Sequence, residues 1–277
     1  MDKSALYRRI AEEAGRGELV FPTRAEVGLR IKRLLDDPNC SIEPLARLVQ
    51  AEPLLAARVV AVANSVAYNR SGRQISDLRQ AISRLGFRTL RSLTLSLIVR
   101  QLAEQSADAD HQALARRLWE HTVHVAALAQ VIAKRVTHQE AETALFAGLL
   151  HEVAGFYLIA RAKGMPELLA DGAADWQQEG EAIVGEALLK VLEVPEAVVT
   201  AIHDLWQGYL AIPPNSLGDT LLLAEELAPV PSPLYWAPPG APEAGTPQLE
   251  IMLDEETLTS ILRESADEVH SLIDALK

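Results

Sequence analysis

The chain has 277 residues, of which 49% are hydrophobic, 5% aromatic and 23% charged, and its formal net charge is −12. This composition is typical of a globular protein with a sizeable core and excludes a collagen-like or low-complexity chain. The acidic balance argues against a general binder of nucleic acids or anionic membranes, because phosphate groups would repel the protein. Cys40 is the only cysteine, which excludes an intrachain disulfide and fits a reducing compartment.

The N-terminus and the longest apolar stretch both indicate a cytoplasmic protein. The first residues are charged and contain no hydrophobic segment, so they do not resemble a signal peptide. The apolar stretch at residues 144–160 carries His151 and Glu152 at its centre. Polar groups of this kind are costly in lipid, so we predict a buried core helix or helix pair and no membrane contact.

The N-terminal part of the sequence begins with two predicted helices. Residues 4–14 are expected to form a short, exposed lead-in helix. Residues 23–26 are a capping box, in which the threonine accepts a backbone N–H and the glutamate reaches back to the start of the helix. The helix that follows should end at residues 36–39, where aspartate, proline and asparagine break the apolar pattern.

Three more boundaries divide the next sixty residues into helices. Ser41 is expected to cap one helix, and Pro53 to begin another, since proline is tolerated in a first turn. Ser76 is expected to cap a short helix that ends at Gly86. A further helix is predicted from about residue 88 to residue 104.

The second half predicts longer helices, and no segment of useful length alternates with a period of two residues. We therefore expect an all-α fold without a sheet. The predicted helices lie near residues 111–135, 139–150, 152–162, 174–192, 196–206 and 216–228.

The C-terminal part changes character at residue 229. Residues 229–247 hold seven of the fifteen prolines and are predicted to form an extended linker. Leu234, Tyr235 and Trp236 nevertheless indicate that part of this linker lies on the globular protein. The final segment, residues 248–277, contains an amphipathic helix from about residue 254 with a strongly acidic outer face.

Several motifs, in order along the chain, resemble the HDOD family (HD-related output domain). The resemblance covers residues 20 to 228, and its motifs are specific in combination although each alone is weak. They are LLDDP at 34–38, LARLVQAEPLLAAR at 45–58, VANSVAY at 62–68, ISDLRQAISRLG at 75–86, LWEH at 118–121, AGLLHE at 147–152, VGEALL at 184–189 and VPEAV at 194–198.

The resemblance implies a domain organisation. Residues 20–228 would form the HDOD domain, with an N-terminal helical lobe at 20–110 and a degenerate HD-like helical bundle at 111–228. The lead-in helix at 1–19, the proline-rich linker at 229–247 and the C-terminal helix at 248–277 would flank it.

The resemblance also implies where a metal site would lie. HD-type phosphohydrolases hold a divalent metal with a histidine, a His–Asp pair and a later aspartate, and the metal activates water. His121, His151 and Glu152 occupy the first three positions, and Glu225 occupies the fourth. Both carboxylates are glutamates, whose extra methylene moves the oxygens by about an ångström. His124 is one helical turn from His121 and could share its face.

Two interpretations of these histidines remain open. In the one we favour, His121 and His151 are buried remnants that hydrogen-bond to their neighbours, and the protein has no catalytic residue and needs no cofactor. In the other, His121, His151 and Glu152 keep a residual site for a divalent metal. The family often carries further histidines where this chain has Glu181 and the Leu205–Trp206 pair.

Arginines are concentrated between residues 70 and 100, where Asp77 is the single acidic residue. One interpretation is a solvated helix face with some arginines paired to acids elsewhere. The other is an anion-binding or protein-docking face, for which Arg84, Arg88 and Arg91 are the candidates. Nucleic acid is not expected, because aromatic stacking residues are not interleaved.

These observations predict a non-catalytic module of bacterial signal transduction that acts by protein–protein interaction or by binding a small effector. Its partners would be other signalling proteins, or a second copy through residues 254–277. One alternative is a metal-dependent phosphohydrolase or phosphodiesterase of the HD type. Another is a nucleotide or anion sensor that uses the arginine-rich segment.

Overall fold

The structure is a computed structural model that describes residues 3–16, 25–103, 108–169, 175–235, 263 and 266–276. All regular structure in these residues is helical, which confirms the predicted all-α class. The predicted capping box at 23–26, the linker beyond residue 235 and the start of the predicted C-terminal helix lie outside the described residues.

The described helices are named in chain order. They are α1 (Lys3–Gly15), α2 (Ala25–Asp36), α3 (Ile42–Gln50), α4 (Pro53–Asn64), α5 (Leu78–Ala103), α6 (Ala109–Ile132), α7 (Ala141–Leu150), α8 (Val153–Ala162), α9 (Glu181–Val191), α10 (Glu196–Gln207), α11 (Leu217–Leu227) and α12 (Ala266–Leu276). Short π-helical turns at Ala133–Thr137 and Trp176–Gly180 extend α6 and precede α9, and a 3-10 turn lies at Pro166–Leu168.

The chain divides into two compact units, and each is built from two separate stretches. The site unit contains Met1–Val20 and Leu102–Glu255, and the lobe unit contains Phe21–Gln101 and Glu256–Lys277. The chain therefore passes between the units three times. Helix α1 packs within the site unit, and helix α12 packs within the lobe unit.

In the lobe unit, α3 packs against α2 and α4, and α12 packs against α4. The apolar stripe of α12 buries Leu272, Ile273 and Leu276. The backbone N–H of Val66, just after α4, donates to Ser271 Oγ of α12 at 3.0 Å. The C-terminal helix thus completes the core of this unit.

Two helix boundaries in the lobe unit differ from those predicted. Ser41 stands at the N-cap of α3, but its side chain makes no capping hydrogen bond. Ser76 does not cap α5; Asp77 does, because its Oδ1 accepts the backbone N–H of Gln80 at 2.9 Å. Aspartate competes well for this position, since its charge complements the helix N-terminus. The predicted break at Gly86 is present as a kink with φ 77°.

In the site unit, α1 is not the exposed lead-in helix that the sequence analysis predicted. Tyr7, Ile10 and Ala14 are buried, and the helix packs against α9. Their spacing of three and four residues forms an apolar stripe, which gains free energy on burial even in a charged helix. The Tyr7 ring also packs edge-on against Trp176, with 5.5 Å between ring centroids.

Helices α6 and α7 pack closely in the site unit. A Cβ atom at Gly148 would lie 2.5 Å from the Cα of Ala126, so only glycine allows the two helices to come this close. Residues 141–162 are long and apolar enough to cross a membrane by length and composition alone. However, 89% of their most apolar window is buried inside the protein, as expected for core helices.

The loop between α10 and α11 is organised by one carboxylate. Asp219 accepts the backbone N–H groups of Ala211, Asn215 and Ser216 at 2.8–2.9 Å, and also the Ser216 hydroxyl. Burial opposes the charge on Asp219, but these hydrogen bonds hold its pKa below the usual value. This charged capping box fixes the loop on the first turn of α11.

We expect Gly148→Ala to lower the free energy of unfolding by about 1–3 kcal/mol, because the added methyl group forces α6 and α7 apart. Urea denaturation followed by circular dichroism measures the change. Gly15→Ala is the matched control: it is exposed, and no atom lies within 4 Å of the added Cβ. If both variants unfold at the same urea concentration, the close contact is not a constraint.

We expect Asp219→Asn to lower the free energy of unfolding by about 1.5–3 kcal/mol at pH 7, because hydrogen bonds to a charged acceptor are lost. The native pKa lies below the unfolded one, so this contribution is present above about pH 3.9 and is lost as the pH falls further. Denaturation of both proteins between pH 7 and pH 3 measures the trend. Exposed Glu196→Gln is the control, and a deficit that is constant with pH would contradict the explanation.

Candidate metal centre

Three predicted site residues come together where α6 meets the junction of α7 and α8. His121 lies in the middle of α6, His151 is the C-cap of α7, and Glu152 is the N-cap of α8. One ligand atom from each side chain lies within 4.8 Å of the others, and all three residues are completely buried. The close packing at Gly148 brings His151 against α6.

The two imidazole rings face each other through their Nε2 atoms, which are 3.1 Å apart. Nδ1 of His121 lies 2.7 Å from the carbonyl oxygen of Val230, and Nδ1 of His151 lies 2.7 Å from that of Gly148. A carbonyl only accepts, so each Nδ1 carries the hydrogen, and each neutral ring presents a lone pair at Nε2. Two facing lone pairs repel, and a proton or a metal cation between them removes the repulsion.

Two carboxylates complete the group. Oε2 of Glu225, from the last turn of α11, lies 3.2 Å from His121 Nε2 and 3.4 Å from His151 Nε2. Oε1 of Glu152 lies 3.8 Å from His121 Nε2 and accepts the Ser232 hydroxyl at 2.5 Å. The longer glutamate side chains therefore still reach the histidines.

The charges of this group are set by burial and by mutual contact. Burial opposes the charge on His121, but the adjacent Glu225 carboxylate raises its pKa to about 9. Burial lowers the pKa of His151 to about 4 and raises that of Glu152 to about 7. Burial by itself would raise the pKa of Glu225, but the hydrogen bond to His121 holds that pKa below its usual value. Around pH 7, the His121 imidazolium and the Glu225 carboxylate thus form a buried ion pair.

A segment that follows α11 covers the group, and we call residues 229–235 the strap. Its Val230 carbonyl and Ser232 hydroxyl bind His121 and Glu152 as described above. Leu234 is buried and packs so close to Gly155 that a Cβ there would lie 2.6 Å from its Cδ1. The described part of the proline-rich linker is therefore part of the site.

The strap ends at a second buried contact. The Tyr235 hydroxyl donates to the carboxyl of Glu181, at 3.2 and 3.1 Å from its two oxygens. Burial and the nearby Glu152 raise the pKa of Glu181 well above its usual value. The sequence analysis missed Ser232 and Tyr235 as site residues. Its one signal was the apolar Leu234–Trp236 stretch within the prolines.

Other candidates lie outside the converging atoms. His124 is not in the group. It follows His121 by three positions on α6, so its ring is shifted by most of a helical turn along the helix axis. At the Leu205–Trp206 pair, the Trp206 ring packs against His203, with 5.2 Å between ring centroids. The Trp206 ring also fills the space where Gly185 would carry a side chain.

The arginine-rich segment lies in the lobe unit. The Arg84 guanidinium donates to the carbonyl oxygens of Ala63 and Arg73 at 2.9 and 3.1 Å. Arg91 pairs with Asp36 at 2.6 Å. These contacts favour a structural role for Arg84 and Arg91, and the anion site with Arg88 remains a prediction.

The residues present fit a divalent cation. Two imidazole nitrogens and two carboxylates form a donor set typical of zinc, iron and manganese sites. Both imidazoles donate their Nδ1–H to backbone carbonyls, which is the usual support for a metal-binding histidine. In addition, Oε2 of Glu152 is buried and has no hydrogen-bond partner among the described residues.

Three solved structures share this fold across almost their whole length. A "Putative metal-dependent phosphohydrolase" from Shewanella amazonensis SB2B has 21% identity over 99% of both chains and a TM-score of 0.70. An HDOD domain protein with unknown function from Geobacter sulfurreducens has 23% identity over 99% of both chains and a TM-score of 0.65. A "Putative phosphohydrolase" from Shewanella amazonensis SB2B has 21% identity over 97% of this chain and 98% of the other, with a TM-score of 0.62. These identities show a common fold.

The search of curated proteins found no match. The family model of the HDOD domain matches residues 21–206, which is most of the chain. This match agrees with the motifs and with the all-α fold. The chain therefore belongs to the HDOD domain family, which is related to the HD-type phosphohydrolases.

Proposed function

We propose that this chain is a regulatory module that binds partner proteins or a small effector, and that it does not hydrolyse phosphate esters. The closure of the candidate metal centre carries this proposal. His121, His151 and Glu152 have no exposed surface, and the strap lies over them. A catalytic metal needs an open coordination position for water and substrate, whereas a closed site is typical of a structural metal.

His121, His151, Glu152 and Glu225 would hold a divalent cation. Such a cation neutralises carboxylates and, in an open site, polarises a phosphate ester and lowers the pKa of bound water. In the closed arrangement, the carbonyls of Val230 and Gly148 orient the two imidazoles, and the strap excludes water. The centre then links α6, the α7–α8 junction, α11 and the strap.

An exposed apolar pair supports a role in protein binding. Tyr209 and Ile212 lie in the α10–α11 loop and are 78% and 70% exposed. The Asp219 hydrogen bonds hold this loop in place, so the two side chains are presented with little conformational freedom to lose. Aromatic and aliphatic anchors on a rigid element are typical of interface hot spots. Cytoplasmic signalling proteins or a second copy of the chain would be the partners.

A groove in the lobe unit offers a place for a small effector. Its volume is about 670 Å³, which is in the range of small-molecule sites. Alanines 46, 56 and 57 contribute to its apolar wall, while Arg47, Asp77 and Arg79 supply polar groups. Arg79 lies within the arginine-rich segment. If the protein were an anion sensor, this groove is therefore where the anion would be expected to bind.

The second candidate function is a metal-dependent phosphohydrolase. The convergence of His121, His151 and Glu152 favours it, because those donors and Glu225 suffice for a catalytic cation. This function would require wider access to the centre, since His121, His151 and Glu152 have no exposed surface and the Glu225 side chain is 20% exposed.

The two functions are separated by measuring metal content and phosphate-ester hydrolysis on the same protein preparations. We expect wild type and the control His270→Ala, which lies on an exposed position of α12, to bind about one divalent ion per chain. His151→Ala should lose the ion, because one of the two imidazole nitrogens that would bind it is removed. Elemental mass spectrometry measures the ion, and bis(p-nitrophenyl) phosphate is the probe of hydrolysis. Metal-dependent turnover that disappears in His151→Ala would contradict the regulatory proposal.

A further inference from the structure

The strap makes three hydrogen-bonded contacts to buried polar side chains, and each of these side chains lies on a different helix or helix end. Val230 binds His121 on α6, Ser232 binds Glu152 at the start of α8, and Tyr235 binds Glu181 on α9. The position of the strap therefore depends on the arrangement of the buried histidine and carboxyl groups.

One imidazole connects the strap directly to the metal position. His121 directs Nε2 toward His151 and Glu225, and its Nδ1–H donates to the Val230 carbonyl. A cation bound at Nε2 withdraws electron density from the ring and makes Nδ1–H a stronger donor. The hydrogen bond that holds the strap is thus stronger when a cation or a proton occupies Nε2 than when the ring is neutral.

The backbone makes a second connection. Glu225 lies in the last turn of α11, and Val230 follows it by five positions in the sequence. A shift of Glu225 toward or away from the histidines must therefore move the start of the strap. Ser232 adds a third link, because its hydroxyl fixes one oxygen of Glu152.

When no cation is bound, the free-energy cost of burying the carboxyl groups opposes closure of the strap. Glu152, Glu181 and Glu225 bring three carboxyl groups into the same buried region beside two imidazoles. Burying such groups without full compensation is unfavourable, and the entry of water relieves the cost. Lifting the strap admits water, whereas a bound cation compensates the carboxylates with the strap closed.

We propose that the strap is a latch that closes over the His–Glu group when a divalent cation binds there and opens when the cation leaves. This inference rests on the proposed function in one respect, since both need the centre to hold a cation. Opening the latch would expose the strap residues 229–235, and a partner could recognise the metal-free form by them.

Hydrogen exchange of the full chain tests the latch. Protein treated with EDTA is compared with the same protein after addition of Zn²⁺ alone, and peptides that cover residues 229–235 are followed by mass spectrometry. We expect Zn²⁺ to slow exchange of the Leu234 and Tyr235 amides by about tenfold, because both donate to Ser232 in the closed strap. Peptides from α3 are the internal control and should not change.

Variants of the strap test the reciprocal effect on the metal. We expect Ser232→Ala and Tyr235→Phe to weaken Zn²⁺ binding by about 10–100-fold, measured by competition with a chromophoric chelator. The matched control is Ser71→Ala, which changes an exposed serine of the lobe unit. It should bind Zn²⁺ as wild type does.

The outcomes separate the latch from the proposed function. Zn²⁺ that binds in wild type and not in His151→Ala, with no change of exchange in the strap, would overturn the latch and leave the metal centre intact. A chain that binds no Zn²⁺ would also overturn it. Hydrolysis of bis(p-nitrophenyl) phosphate would refute the regulatory function, while slower exchange with Zn²⁺ would still support the latch.

Discussion

The site unit is arranged around two imidazole nitrogens that face each other at 3.1 Å. Backbone carbonyls bind the opposite nitrogen of each ring, so a positive charge between the rings is required for them to remain this close. Gly148 makes the approach possible, and Glu225 supplies the balancing negative charge. Replacing aspartate with glutamate has therefore not dispersed the group, because the longer side chains reach the same nitrogens.

The strap covers this group, and access to the group is what separates a site that only binds a cation from one that uses it in catalysis. The donor atoms resemble those of a catalytic centre, but the strap places a carbonyl and a hydroxyl against them and buries Leu234 beside Gly155. A structural role and a catalytic role thus differ here in access and not in ligand chemistry. The regulatory interpretation depends on this difference, and the strap is the element that decides it.

The sequence predicted those parts of the structure that depend on local pattern. Apolar periodicity predicted the helices. The motifs, taken in order along the chain, predicted that His121, His151, Glu152 and Glu225 share one site. The sequence did not predict the strap, because prolines indicate only that a segment is not helical and do not show where its carbonyl groups point. The roles of Arg84 and Arg91 were equally undecided, since their carbonyl and carboxylate partners lie 11 to 56 positions away in the chain.

The division of each unit between distant stretches of chain also affects how the protein is made. Helix α1 leaves the ribosome long before its partner α9, which begins at residue 181, so its apolar stripe has no binding surface for roughly 10–30 s at ordinary elongation rates. Helix α4 of the lobe unit waits longer still, because its partner α12 begins only at residue 266. The nascent chain must therefore keep two apolar surfaces soluble until α9 and α12 have been made.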